Sequence, residues 1–230
     1  MERLIKVAIG DEKADLVLKG GNIINVYTGE IEVADIAICD GYIAGIGEYS
    51  GLVEENMQGK YLSPGFIDGH LHIESTMLSP ANFAKAVLPW GTTTGICDSH
   101  EIANVCGEQG VLYMINESKQ MPFDAIFMVP SCVPATPYEN NGATIDANGV
   151  DRLLNVCHGV GEFMNAPGVI YRDKDVINKL KHAKNRGVIV DGHFPLAQGK
   201  ELNAYVSAGI KTDHECVELQ EACAKLRRGM

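Results

Sequence analysis

The sequence predicts an α/β protein in which a small β-domain precedes an incomplete TIM-like (β/α) barrel of about six βα units. Three observations carry this. Residues 1–63 are rich in short β-prone runs separated by tight turns. From Pro64 onward the pattern becomes strand, loop, helix, repeated. The strands of that second region recur about every 20–32 residues, a spacing that leaves room for a helical crossover and therefore predicts parallel pairing.

Each element has a local reason. In the first region the runs Ala14–Lys19, Asn22–Val26, Glu32–Cys39 and Tyr42–Ile46 are bounded by Gly20-Gly21, Thr28-Gly29, Asp40-Gly41 and Gly45 with Gly47. These are the turn residues that tolerate positive φ, and they predict part of a small β-sandwich-like domain. In the second region apolar runs at 66–71, 93–97, 125–130, 156–161, 188–192 and 209–212 predict six strands. Ser79-Pro80 starts a helix, as N-cap and first-turn residues should, and Gly91 follows its end. Gly107 to Lys119 predicts a second helix, and Asp146 caps a third that includes Val150 to Leu154. Lys174 to Asn185 predicts a fourth, stopped by Gly187, and Gly199–Ser207 and Val217–Arg228 complete the set. Six βα units fit a barrel or a doubly wound sheet. No G-x-G-x-x-G follows a strand, which weakens a nucleotide-binding reading.

Composition narrows the function. The chain has 230 residues and a formal net charge of -11, with 19 basic and 30 acidic residues. No basic run exists to track a phosphate backbone, so a small-molecule substrate is expected rather than a nucleic acid. The seven cysteines include no C-x-x-C, against both a disulfide framework and a thiolate zinc site. No apolar run approaches the roughly 20 residues of a membrane span, and the first residues lack an apolar leader. The expectation is a cytoplasmic protein without membrane contact.

Polar residues collect at the C-terminal ends of the predicted strands. His70 and His72 close the first, Asp98 with His100 and Glu101 the second, Glu162 the fourth, His193 the fifth and His214 the sixth. In a (β/α) barrel that face carries the active site. Residues i and i+2 of a strand point the same way, so His70 and His72 can hold one ion. Glu162 has two oxygens and can bridge to a second, held by His193 and His214. Imidazole and carboxylate suit Zn, Fe or Mn. Two ions roughly 3.5–4 Å apart share a water and stabilise developing charge.

Taken singly, each residue has a structural alternative: an incidental H-x-H, a capping carboxylate, a hydrogen-bonded core histidine. Their placement at equivalent strand ends favours the metal reading. Pro64 to His72 resembles the opening strand of the amidohydrolase superfamily. More narrowly, Gly69-His70-Leu71-His72-Ile73-Glu74-Ser75, Asp98-Ser99-His100-Glu101-Ile102-Ala103-Asn104 and Val129-Pro130-Ser131-Cys132-Val133-Pro134-Ala135-Thr136 are similar to adenine deaminases of bacteria and archaea. Gly161-Glu162-Phe163-Met164-Asn165 and Asp213-His214-Glu215-Cys216 extend that similarity over essentially the whole chain.

The resemblance implies a binuclear site of two divalent ions, Mn or Fe with Zn possible. Its ligands would be His70, His72, Glu162, His193 and His214, with Glu162 in place of a carbamylated lysine. It implies hydrolytic deamination of adenine to hypoxanthine and ammonia by a metal-activated hydroxide, in purine salvage, by a homo-oligomer. Glu101 and Glu74 are candidates for the catalytic acid or its support; Asp98 and His100 are candidates for substrate contact or for supporting the ligands. Family members are longer, and an aspartate on their eighth strand lies beyond the residues here, so a truncated and catalytically incomplete chain is an alternative. Another amidohydrolase, acting on a cyclic amide or an N-acyl bond, is the remaining one.

Overall fold

The structure, a computed structural model, describes residues 1–230. The chain forms two compact units, Met1–Pro64 and Gly65–Met230.

The first unit holds α1 (Glu2–Ala8), β1 (Ala14–Ile24), β2 (Ile31–Cys39), β3 (Tyr42–Gly47), β4 (Gly51–Asn56) and β5 (Tyr61–Leu62). The sheet order is β3-β2-β1-β4, with β5 also paired to β1. β1–β2 and β2–β3 are antiparallel, whereas β4 and β5 run parallel to β1. Val7, Ala14, Val17, Ala37 and Cys39 form its core. Asp40 and Gly41 both adopt positive φ, as a two-residue hairpin turn requires. Gly20-Gly21, in contrast, is not a turn. The two runs predicted on either side of it are one strand, β1, whose register shifts between Leu18 and Gly21. Gly20, at φ +65°, absorbs the bulge, and a Cβ on Gly21 would lie 2.5 Å from Leu62. A glycine pair flanked by β-prone residues suits a bulge as well as a turn, and only the pairing partner decides. Helix α1 and strands β4 and β5 carried no signal in the sequence.

The second unit contains β6 (Phe66–Leu71), α2 (Pro80–Val87), β7 (Thr92–Asp98), α3 (His100–Cys106), α4 (Glu108–Ser118), β8 (Asp124–Val129), α5 (Ala147–Leu153), β9 (Gly159–Phe163), α6 (Ala166–Ile170), α7 (Lys174–Arg186), β10 (Ile189–Gly192), α8 (Gly199–Ser207) and α9 (Leu219–Leu226). Its sheet order is β10-β9-β8-β7-β6 with every neighbouring pair parallel. Strictly sequential order is that of a singly wound barrel sheet; a doubly wound sheet reverses its order at a switch point. Every residue of β9 is buried, as expected of a parallel strand covered on both faces.

Two expectations change here. The fourth strand lies at Gly159–Phe163, not 156–161, because the turn after α5 continues through Cys157, whose N–H donates to Leu153 O. Glu162 is therefore inside a strand rather than after one. The sixth predicted strand does not form a ladder. Residues 209–212 make one backbone bond to β10, from Lys211 N–H to Val190 O at 3.0 Å. Ile210 is the one apolar side chain there and it is fully buried. With a single inward anchor the segment runs beside β10 without repeating pairing. The barrel sheet thus has five strands. Among the helices, Asp146 caps α5 by accepting from Gly149 N–H, and Pro80 opens α2, although Ser79 makes no side-chain cap. Helices α3 and α6 were not foreseen.

Candidate metal centre

The polar cluster forms at the C-terminal ends of β6, β7, β9 and β10. Leu71 and Ile73 are buried, which turns the alternate residues His70 and His72 to the opposite side. Their Nε2 atoms converge to 2.9 Å. His72 Nδ1 lies 2.8 Å from Asp98 O, a carbonyl that accepts only from N–H, which leaves the Nε2 lone pair free. Glu162 is 3% exposed. Its Oε1 is 3.3 Å from His72 Nε2 and 3.9 Å from His70 Nε2. Its Oε2 is 2.7 Å from His193 Nδ1 and 3.4 Å from His214 Nε2. One buried carboxylate thus serves two histidine pairs, one on each oxygen. His70, His72 and Glu162 form one potential ligand group, and Glu162, His193 and His214 another.

The backbone of Glu162 is held on two sides. Its N–H donates to Asp98 Oδ2 at 2.8 Å, and its carbonyl accepts from Ser131 Oγ at 2.8 Å. Gly161 makes room, since a Cβ there would lie 2.0 Å from Asp98 Oδ2. His193 is anchored through its main chain: its N–H donates to Tyr205 Oη at 3.0 Å, and that hydroxyl donates to Phe163 O at 2.6 Å. His214 Nδ1–H donates to Asp191 Oδ2 at 3.1 Å, and the same oxygen lies 3.2 Å from His70 Nδ1. The segment bearing His214 is secured by Lys225. Its ammonium lies 2.8 Å from Asp213 and 2.6 Å from Glu221, all three side chains being at most 3% exposed.

The electrostatics follow from one buried anion among imidazoles. Burial alone would raise Glu162, but contacts with His100, His193 and His214 hold its carboxyl far below the usual range. Burial also opposes the charge on Asp191, and its bonds from His214, His70 and Thr212 prevail and lower it. Against burial, Asp191 and Glu162 push His214 up to about 10, and Glu162 with Asp98 pushes His100 up to about 9. Asp98, wholly enclosed, is pushed up to about 7 by burial. His72 is lowered by burial. A carboxylate this deep requires positive charge around it. The donor set fits divalent ions: imidazole nitrogens and carboxylate oxygens, no thiolate, and the second nitrogen of three rings within reach of a carbonyl or carboxylate.

All nine predicted site residues fall in or around this cluster, in different relations to it. His100 Nδ1 comes within 2.9 Å of Glu162 Oε1, though not aligned for a hydrogen bond. Asp98 supports Glu162 from its backbone. Glu101 Oε2 lies 3.7 Å from His72 Nδ1, and its other oxygen accepts from Ser75 Oγ. Glu74 is tied to α3 rather than to the ligand histidines: its Oε1 accepts from Ile102 N–H at 3.3 Å, its Oε2 is buried without a partner, and burial raises its pKa. Asp191, Tyr205 and Ser131 were missed. Asp191 stands two residues before His193, a spacing visible in the sequence. Tyr205 sits in α8 and had none.

A sequentially wound parallel sheet with a histidine–carboxylate cluster at its C-terminal edge defines a (β/α)-barrel protein of the metal-site type. The model of the Amidohydrolase family matches residues 61–229. The chain belongs to that family. It is 52% identical over its whole length to an adenine deaminase of Clostridium acetobutylicum, and 47% identical over 99% of its length to adenine deaminase 2 of Carboxydothermus hydrogenoformans. It spans about two-fifths of these relatives, 41% and 40% respectively. Among solved structures, a zinc-bound N-acyl-D-glutamate deacylase from Bordetella bronchiseptica matches with a TM-score of 0.64 at 17% identity, covering 94% of this chain and 55% of that one. A D-aminoacylase matches with 0.64 at 14% identity, over 90% of this chain and 53% of the other. These two likenesses are of fold.

Proposed function

We propose that the protein hydrolyses adenine to hypoxanthine and ammonia. The observation that carries this reading is the division of Glu162 between two histidine pairs, in a chain about half identical to proteins called adenine deaminase. His70, His72 and Glu162 would hold one divalent ion, and Glu162, His193 and His214 a second, with Mn or Fe preferred and Zn possible. Such ions, when bound, supply Lewis-acid polarisation and water activation near neutral pH. In the net reaction a C6–O bond forms and the C6–N bond breaks. Of the two water protons, one leaves with ammonia and one stays on the ring.

The chain's own groups supply the rest. Buried polar atoms without partners concentrate on Glu74, Asp98, Ser99, His100, Glu101 and Asn104. Such atoms call for a polar ligand, and a purine with N–H donors beside ring acceptors meets carboxylate and hydroxyl together. Glu101, whose Oε2 is among them, is the candidate to carry the proton. Glu74 supports it by holding the start of α3, on which Glu101 lies, and is assigned no proton. His100 supplies positive charge beside Glu162. A chain of net charge -11 suits the free base rather than a base within nucleic acid. Purine salvage, a cytoplasmic location and a homo-oligomer complete the reading; no helix is long and apolar enough to cross a membrane.

The test is ammonia release by the full-length, metal-loaded protein from adenine, beside a panel of lactams and N-acyl amino acids. Turnover of adenine with Glu101→Gln reducing kcat far more than KM is expected. Turnover confined to N-acyl or lactam substrates would overturn the assignment.

A further inference from the structure

We propose that Asp191 is a positioning residue shared by both halves of the centre, fixing through one carboxylate oxygen the tautomer and orientation of a histidine from each ligand group. The inference rests on the reading of His70 and His214 as ligands of two different ions. Asp191 Oδ2 lies 3.2 Å from His70 Nδ1 and 3.1 Å from His214 Nδ1. In each ring the other nitrogen, Nε2, is the one turned to Glu162, at 3.9 and 3.4 Å. A proton fixed on Nδ1 leaves the lone pair on Nε2. The same oxygen therefore selects the ligating atom in both rings. The two imidazoles stack with centroids 3.5 Å apart and planes 13° from parallel, so His214 Nδ1–H donates to Asp191 Oδ2 while His70 Nδ1 meets the same oxygen in close contact.

The clamp is itself fixed. Asp191 Oδ1 accepts from Thr212 Oγ1 at 2.5 Å and from Gly192 N–H at 3.0 Å, so neither oxygen is free to turn. The segment carrying Thr212 passes so close to β10 that a Cβ on Gly192 would lie 2.5 Å from Thr212 O. His72 differs, because its Nδ1 meets a backbone carbonyl that no side-chain change removes. A single substitution at Asp191 should thus weaken both ion sites at once.

The experiment titrates Zn2+ into the full-length protein against a competing chromophoric chelator, wild type beside Asp191→Asn, with stoichiometry by native mass spectrometry. Asparagine keeps the shape but loses the charge, and its single carbonyl cannot serve both rings and the Gly192 N–H. Both dissociation constants should rise about 10–100-fold, the range for loss of a ligand-orienting partner. Thr212→Val should raise both by a smaller factor. Weakening of one site alone, or of neither, overturns the proposal. Wild type binding fewer than two ions overturns the ligand reading as well, and that result is visible before any variant is made. Should Asp191→Asn fail to fold, imidazole 15N correlation spectra of the zinc-loaded wild type decide. His70 and His214 are both expected as Nδ1–H tautomers, and a proton on Nε2 of either refutes the clamp.

Discussion

Replacing Tyr205 by phenylalanine removes one atom and unties two backbone groups. Tyr205 is fully buried, and its hydroxyl both donates to Phe163 O and accepts from His193 N–H. The ring stays, so packing is kept, but the buried Phe163 carbonyl and the part-buried His193 N–H each lose this partner. Each unsatisfied group costs about 1–3 kcal/mol, part of it offset because the hydroxyl no longer needs desolvating. A loss of about 2–4 kcal/mol is expected. With a urea slope of about 2 kcal/mol per molar, the midpoint should fall by about 1–2 M. Far-UV circular dichroism in urea measures it, with and without a metal chelator. Because the two bonds are made by main chain and phenol alone, the deficit should persist in chelator. A shift below about 0.3 M, or one that vanishes once metal is removed, refutes the reasoning.

Four further outcomes follow from the same geometry. Glu162→Gln keeps the shape but removes the charge between the two histidine pairs, so bound metal, read by mass spectrometry, should fall from two ions per chain to one or none. Lys225→Met leaves Asp213 and Glu221 buried without their cation, and should cost about 3–5 kcal/mol in chemical denaturation. Gly161→Ala drives a methyl into Asp98 Oδ2 and should cost about 1–3 kcal/mol, with Asp98→Ala partly rescuing it in a double-mutant cycle. In the N-terminal unit, burial would raise Asp35, but Lys19 and the N–H groups of Tyr49 and Gly20 hold it below 3.8. A depressed carboxylate stabilises above its unfolded pKa and loses that contribution as pH falls through the folded one. Asp35→Asn should therefore destabilise near pH 7 and approach the wild type as pH falls through the lowered folded value, read from thermal midpoints along a pH series.

The parallel sheet was legible because its signal is local and repeated. Apolar runs such as 125–130 have no polar alternation to mislead, and Asp146 or Gly187 mark helix ends by chemistry that tertiary context does not change. What failed is set by partners. Nothing in Gly20-Gly21 states whether a turn or a bulge follows, because Leu62, some forty residues on, decides it. Residues 209–212 look like a strand by composition, yet a strand is a ladder, and with one buried apolar residue the segment does not repeat its bond to Val190. Strands β4 and β5 are polar or very short, so periodicity has little to grip.

The candidate donors of the site could be read from the sequence, and their supporting groups could not. Ligand types are constrained by the ion they would hold, so His70, His72, Glu162, His193 and His214 stand out as residue types at strand ends. Supporting groups are constrained only to place a hydrogen bond, and many residue types at many sequence distances achieve that. Tyr205 reaches His193 from a helix and Ser131 reaches Glu162 from the loop after β8, while Asp191 is spaced as visibly as His72 is from His70. The difference is that a carboxylate beside a histidine has several plausible uses. Only the convergence of His70 from β6 and His214 from beyond β10 on one oxygen selects among them. A ligating imidazole has one N–H to place, on the nitrogen away from the ion, and for two of the rings at this centre the nearest acceptor to that nitrogen is one oxygen of Asp191.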